Sequence, residues 1–293
     1  MTEAITSRGL TKDYGGGRGI FDLDLVVNEG EVVGYLGPNG AGKTTTIKLL
    51  MGMTHATRGS ATIFGLDSDR DAVALKRRIG YVPGELPQFG GWRGTEIVAY
   101  LAGLRGGVED AEVERIAKRL DLDLSRKYRE YSHGNKQKLA LLLAFAPRPA
   151  MLILDEPTSG LDPLHQQEFY ALVRDARAAG ATIFVSSHVL SEVEQICDRV
   201  GIVREGHLVT VGPIGQLLGA KAHRVEIELA DASAAETIGR VPGLEQVRVD
   251  GARVSGLYRG AFDPLLAALA GQRVVSFVSR EPSLEEIFLS YYR

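Results

Sequence analysis

The stretch GPNGAGKTT, Gly37 to Thr45, constrains this chain more than any other. It fits the pattern G-x-x-x-x-G-K-[ST] and lies between an apolar run, VVGYL (Val32 to Leu36), and a segment of helical character from about Thr44 to Met53. A strand that ends in glycines and restarts as a helix can turn successive backbone N–H groups into one concavity, a natural seat for phosphate oxygens. The helix N-terminus adds its own partial positive charge. The expected nucleotide-binding residues are therefore Gly37, Pro38, Asn39, Gly40, Ala41, Gly42, Lys43, Thr44 and Thr45. Lys43 would reach the β- and γ-phosphates, and the Thr44 hydroxyl would reach Mg²⁺.

Around this loop the pattern is that of an α/β chain. In FDLDLVV, Phe21, Leu23, Leu25 and Val27 alternate with other residues, which predicts a strand with one buried face. Further apolar strands are expected at MLILD (Met151 to Asp155), TIFVSS (Thr182 to Ser187) and RVGIV (Arg199 to Val203), with helical segments between them, as at His165 to Ala179. Alternation of this kind predicts a largely parallel sheet. From Gly94 to Ala146 the pattern is helical only and ends at Pro147 and Pro149, so a helical subdomain at about 85–148 is inserted into the core. A second change falls near Gly219. From Arg224 the order reads strand (RVEIEL), helix, strand (VRVDGARVSGLYR), helix, strand (RVVSFV), helix, a small α+β domain. The expected domains are 1–219 and 220–293.

MLILDEP carries the second chemical signal. Four apolar residues bury the strand and two acids emerge at its carboxyl end, where ligands gather in open α/β sheets. Asp155 suits the metal shell, through a water, and Glu156 is the candidate base that polarises an attacking water. Paired acids at a strand end are often simply solvated; a phosphate loop elsewhere in the chain favours catalysis. YSHGNKQKL, Tyr131 to Leu139, is more open. It reads as a basic patch, a helix cap or an anion site. A net charge of -3 argues against a general nucleic-acid binder.

Taken in order, GPNGAGKTT, LDEPTSGLDP and SSHVLSEVE, with a helical insertion between the first two, resemble the ATP-binding cassette ATPases over about residues 4 to 218. YSHGNKQKL falls where that family keeps its signature motif. The resemblance implies that Ser132, His133, Gly134 and Asn135 face ATP bound on an opposite subunit, with Lys136 and Lys138 as a solvated flank. It also implies a communication loop at Ser159, Gly160, Leu161 and Asp162, a switch histidine at His188, and an adenine platform at Tyr14, where stacking needs only a flat ring. ATP and Mg²⁺ are the implied cofactors. The chain departs from the pattern at Gly84, where the family has a glutamine. No metal ligand is expected from that loop, and slower hydrolysis is. His133 and Asn135 depart as well, and His133 is expected to point to solvent.

The tail EPSLEEIFLSYYR resembles that of ATPases from bacterial drug-resistance and small-molecule exporters. That implies a separate transmembrane permease subunit, a second copy of this chain or a homologous ATPase, and no nucleic acid. Trp92, in GGWRGTE, would either line the docking groove for the permease or pack inside the insertion. The run Leu139 to Ala146 is far shorter than the ~18 apolar residues of a spanning helix. MTEAITSRGL lacks a signal-peptide pattern, and Cys197 is the only cysteine. The expected location is the cytoplasmic face of the membrane, reached through the permease. An importer ATPase is the nearer alternative. A soluble cassette ATPase acting on DNA or ribosomes is the more distant one, since long coiled-coil insertions, hook cysteines and a second phosphate loop are all missing from the sequence.

Overall fold

The computed structural model describes residues 2–217 and 222–280. In chain order its elements are β1 (Glu3–Asp13), β2 (Gly19–Asn28), β3 (Val32–Leu36), α1 (Lys43–Leu50), β4 (Arg58–Ile63), β5 (Leu66–Asp67), α2 (Ala72–Arg78) and β6 (Ile79–Val82). There follow α3 (Gly94–Gly103), α4 (Asp110–Arg119), α5 (His133–Phe145), β7 (Met151–Asp155), α6 (Pro163–Ala178), β8 (Thr182–Ser187), α7 (Leu190–Ile196), β9 (Arg199–Arg204) and β10 (His207–Pro213). The remainder is α8 (Ile214–Leu217), β11 (Ala222–Leu229), α9 (Ala235–Gly239), β12 (Leu244–Asp250), β13 (Arg253–Arg259), α10 (Asp263–Leu269) and β14 (Val274–Arg280). The chain divides into two compact units, Met1–Gly212 and Pro213–Arg293.

The first unit is organised by a six-stranded sheet of order β10-β9-β3-β8-β7-β6, in which the pairs β9–β3, β3–β8, β8–β7 and β7–β6 are parallel. Both faces of its central strands are covered, so β3, β7 and β8 are buried at every position. The period of two still sorts their side chains. Leu152 and Leu154 of β7, with Ile183 and Val185 of β8, face a core that holds Ile97, Ile116, Leu139 and Phe169. Met151, Ile153 and Phe184 face the opposite core, with Ile47 of α1 and Leu23 and Leu25 of the antiparallel sheet β2-β1-β4-β5. The helices α3, α4 and α5 thus cover one face, and α1 with the small sheet covers the other.

The alternation in β2 breaks at one point. Asp22 has φ +49°, a bulge that turns the chain, so Ile20 is buried instead of Phe21, and Phe21 stacks on His207 at 5.3 Å. The second unit has its own core of Val225, Ile227, Ala235, Ile238, Val254, Tyr258 and Leu265. Its sheet has the order β12-β13-β11-β14. VRVDGARVSGLYR, read as one strand, is two: β12 and β13 form an antiparallel hairpin in which Asp250 pairs with Arg253. Asp250-Gly251 begins its turn, with Gly251 at φ +56°. The tail EPSLEEIFLSYYR lies outside the described residues. Among the described residues no helix is long and apolar enough to cross a membrane.

Candidate functional site

Four adjacent strands, β3, β8, β7 and β6, bring their carboxyl ends to one edge of the sheet. Leu36 pairs with Ser187, Asp155 with Ser186 and Val82 with Leu154, so the segments that leave these strands start side by side. The phosphate loop leaves β3, Gly84 follows β6, the acids close β7 and His188 follows β8. An open parallel sheet presents its ligand site at such an edge.

The loop turns into α1 through Gly42, whose φ is +108°. A side chain there would also meet Ile20 Cγ2 at 2.6 Å, so both conformation and space require glycine. Thr46 ties the helix back to β3 through its hydroxyl, 3.2 Å from that of buried Tyr35. Lys43 is only 6% exposed and curls over the loop. Its ammonium donates to Gly37 O at 2.6 Å and Pro38 O at 3.3 Å, and it approaches Glu156 Oε1 at 3.2 Å. Three N–H bonds and three acceptors leave the group fully engaged.

Glu156 sits in the left-handed region, at φ +50°, a strained conformation for a residue with a side chain. The turn is held by its own N–H, which donates to Ser186 O at 3.1 Å, and by Gln137 Nε2, which donates to Pro157 O at 2.8 Å. The strained turn aims the carboxylate between two cations or donors. Oε1 faces Lys43 and Oε2 accepts from His188 Nδ1 at 2.7 Å. Beneath it Asp155, fully buried, accepts from Thr44 Oγ1 at 2.8 Å and from Ser186 Oγ at 2.5 Å. Burial first, and then the Asp155 charge, pushes the Tyr81 phenol up to about 12, so Tyr81 stays neutral beside it.

The structure therefore brings Lys43, Thr44, Asp155, Glu156 and His188 into one cluster. The turn that carries Tyr14 abuts it, since Gly19 O at its end lies beside Gly42. Tyr14 itself is half exposed, with Lys12 Nζ 5.3 Å from its ring centre. Ser132, His133, Gly134 and Asn135 gather elsewhere, at the start of α5. Ser132 caps the helix by accepting from Asn135 N at 3.2 Å. His133 is exposed, yet one edge of its ring lies against Gly160. The segment Ser159 to Asp162 is thus packed on the start of α5 in the same chain. Of the flanking lysines, Lys136 lies 5.1 Å over the Tyr128 ring. Lys138 is not a solvated flank: it is 7% exposed and its Nζ is 2.9 Å from His165 Nε2. Trp92 is 45% exposed and packs edge-on against Tyr100. It is a surface residue and not part of the insertion's core.

Sequence reasoning missed Ser186, Gln137 and Glu192. The last is a buried carboxylate that accepts from Thr158 Oγ1 and from Ser187 Oγ, and burial raises its pKa. It ties the segment after Glu156 to the residue before His188.

Gly84 has a physical reason to lack a side chain. A Cβ there would stand 2.8 Å from Asp155 Oδ2 and 3.1 Å from its Cγ, and Asp155 is pinned on both oxygens. A glutamine at this position should therefore displace the carboxylate from Thr44. Loss of one hydrogen bond to a charged group is worth about 1.5–3 kcal/mol. Gly84→Gln is expected to slow ATP turnover roughly tenfold or more, and Gly84→Ala to do the same. Faster turnover in Gly84→Gln would show that the loop has room and that close approach is not what excludes the side chain.

A phosphate loop, a buried strand ending in two acids and a six-stranded sheet in which five neighbouring strands run parallel define a nucleoside-triphosphate hydrolase of the phosphate-loop class. The helical insertion that carries a second, capped helix start narrows the class further. The ABC transporter family model matches residues 20–159. The bacitracin transport ATP-binding protein BcrA of Enterococcus faecalis is 36% identical over 81% of this chain and 78% of its own length. The daunorubicin/doxorubicin resistance ATP-binding protein DrrA of Streptomyces peucetius is 34% identical, over 80% and 73%. The Nod factor export ATP-binding protein I of Cupriavidus pinatubonensis is 31% identical, over 99% and 90%. A solved ATP-binding subunit of an ABC transporter superposes with a TM-score of 0.68 at 30% identity, covering 73% of this chain and 91% of that one. The chain belongs to the ABC transporter family, as an ATP-binding, ATP-hydrolysing subunit.

Proposed function

We propose that this chain powers export of a small molecule through a separate transmembrane permease, working as a pair of ATPase subunits at the cytoplasmic face of the membrane. Similarity along the whole chain carries this reading. The relative named for Nod factor export aligns with 99% of the residues, second unit included, and relatives named for bacitracin transport and anthracycline resistance align with most of the cassette. A cavity of about 580 Å³ between the helical insertion and the sheet, lined by Phe89, Leu101 and Leu143 and reaching Gly84 and Thr44, is a fitting seat for a permease segment.

In this reading the phosphate loop and Lys43 hold the β- and γ-phosphates, and Tyr14 stacks on adenine. Glu156 accepts a hydrogen bond from the attacking water, and His188 contacts the γ-phosphate from the opposite side of that carboxylate. As the water oxygen bonds to the γ-phosphorus, a water proton passes to the Glu156 carboxylate and the bond from that phosphorus to the ADP oxygen breaks. Positioning and charge stabilisation supply most of the rate. The start of α5, at Ser132 to Asn135, closes over ATP held by the other subunit, and Ser159 to Asp162 faces that subunit.

The Thr44 hydroxyl and the Asp155 carboxylate fit Mg²⁺, a hard cation that keeps several waters and takes few protein oxygens. Among the described residues no group of three His, Cys, Asp or Glu gathers to hold a metal in a full protein cage, which suits an ion shared with substrate phosphates. Bound there, Mg²⁺ would neutralise phosphate charge; Ser186 and Thr44 hold the Asp155 carboxylate in place.

Direction of transport is tested in inside-out vesicles that contain this chain and its permease, with bacitracin and an anthracycline as probes. Export predicts that external ATP loads one of them into the lumen. ATP-driven release of a preloaded probe would establish import instead, and the Glu156→Gln variant should do neither.

A further inference from the structure

Two consecutive buried residues of α5 hold both ends of the loop that joins Glu156 to Asp162. Gln137, 2% exposed, donates from Nε2 to Pro157 O at 2.8 Å and Glu156 O at 3.4 Å. Lys138, 7% exposed, places Nζ 2.9 Å from His165 Nε2. An ammonium only donates, so His165 Nε2 is the lone-pair nitrogen and Nδ1 carries the hydrogen. Nδ1 donates to Asp162 Oδ2 at 2.7 Å, while Asp162 Oδ1 accepts the His165 backbone N–H at 3.0 Å and caps α6. The chain of bonds is thus Lys138 to His165 to Asp162. Burial lowers the Lys138 pKa, and Asp121 and Asp162 oppose that shift. Between the two anchors, the loop touches the helix start itself: a Cβ on Gly134 would stand 2.7 Å from Gly160 O.

We propose that Lys138 and His165 are positioning residues of the ATPase. They latch the 156–162 loop to the signature helix of the same subunit, so that engagement of the helix start by the partner's nucleotide is passed to this subunit's own Glu156. The inference rests on the reading of α5 and Glu156 given above. It adds that the message travels within one chain, through a lysine and a histidine, beyond any contact across the pair. Gln137 fixes the catalytic end of the loop and Lys138 the far end, so a shift of α5 moves both together.

The test compares wild type, Lys138→Met, His165→Gln, the double variant and Lys138→Arg. Each single variant is expected to lower kcat about tenfold, with the ATP affinity of the isolated subunit unchanged. The double variant should be no slower than either single one, because both remove the same chain of bonds. Lys138→Arg, which can still donate to His165, should recover most of the rate. In a Glu156→Gln background, ATP should still gather the latch variants into dimers. Multiplied losses in the double variant, or slower turnover tracked by lower melting temperature and unrescued by arginine, would overturn the latch and leave a structural contact. Failure of Glu156→Gln itself to dimerise with ATP, latch intact, would instead overturn the underlying reading of α5.

Discussion

Replacing Glu156 with glutamine is expected to lower ATP turnover by about 10²- to 10⁴-fold, the usual weight of a general base, while ATP still binds. The two effects separate because the carboxylate is not what builds the site. Lys43 keeps its bonds to Gly37 O and Pro38 O, and the phosphate loop is shaped by backbone. Glutamine has nearly the same shape but presents one acceptor and one donor where glutamate presents two acceptors. Facing Lys43 with its oxygen, it turns its amide toward His188, whose ring can offer a lone pair at Nδ1 by changing tautomer. The turn at φ +50° is held by Ser186 and Gln137 and should survive. The variant should therefore gather with ATP as a closed dimer, visible by size-exclusion chromatography, and show almost no phosphate release in a single-turnover assay. Turnover close to wild type would remove Glu156 as the base.

The sheet was legible because its strands are buried on both faces, and such strands announce themselves as unbroken apolar runs. VVGYL, MLILD and TIFVSS match β3, β7 and β8 residue for residue. The turn from β3 into α1 was equally plain, since its glycines and lysine fall within one short stretch, Gly37 to Lys43. What sequence order hides is register. Ser186 lies near the end of an apolar strand and opens SSHVLSEVE with nothing to mark it as a partner of the acids, yet parallel pairing sets it opposite Asp155. The lysines of YSHGNKQKL show a different kind of miss. At 100° per residue, Lys136 and Lys138 stand about 200° apart on a helix and cannot share one face. Lys138 lies on the stripe of Leu141, Leu142 and Phe145, all buried. That periodicity was present in the sequence, but reading the lysine by its charge sent it to solvent. A buried cation needs an acceptor, and His165, which supplies it, lies 27 residues on, beyond the reach of any local pattern.

Lys43→Ala should abolish ATP binding at concentrations that saturate the wild type. Lys43 is the cation best placed to meet phosphate oxygens, and hydrogen bonds to charged groups are worth about 1.5–3 kcal/mol each. Loss of two such bonds weakens affinity roughly 10²- to 10⁴-fold. The fold is expected to tolerate the change. Pro38 is exposed, so its O can take water in place of the lost donor; buried Gly37 O loses one partner, and Glu156 retains His188. Strain moves in the opposite sense: the wild-type ammonium must exchange at least one of its three present acceptors for phosphate, and Glu156, 3.2 Å away, is the one whose carboxylate is freed for water by that exchange. With the nucleotide placed on this loop, Lys43 would couple occupancy to the readiness of the base as well as holding the ligand. Thermal melting reads both consequences. Wild type should melt higher as ATP is added, because a ligand that binds only the folded chain stabilises it. The Lys43→Ala melting temperature should stay flat across the same range. An ATP-dependent rise equal to that of wild type would show that phosphate is held elsewhere and would overturn the placement of the nucleotide on this loop.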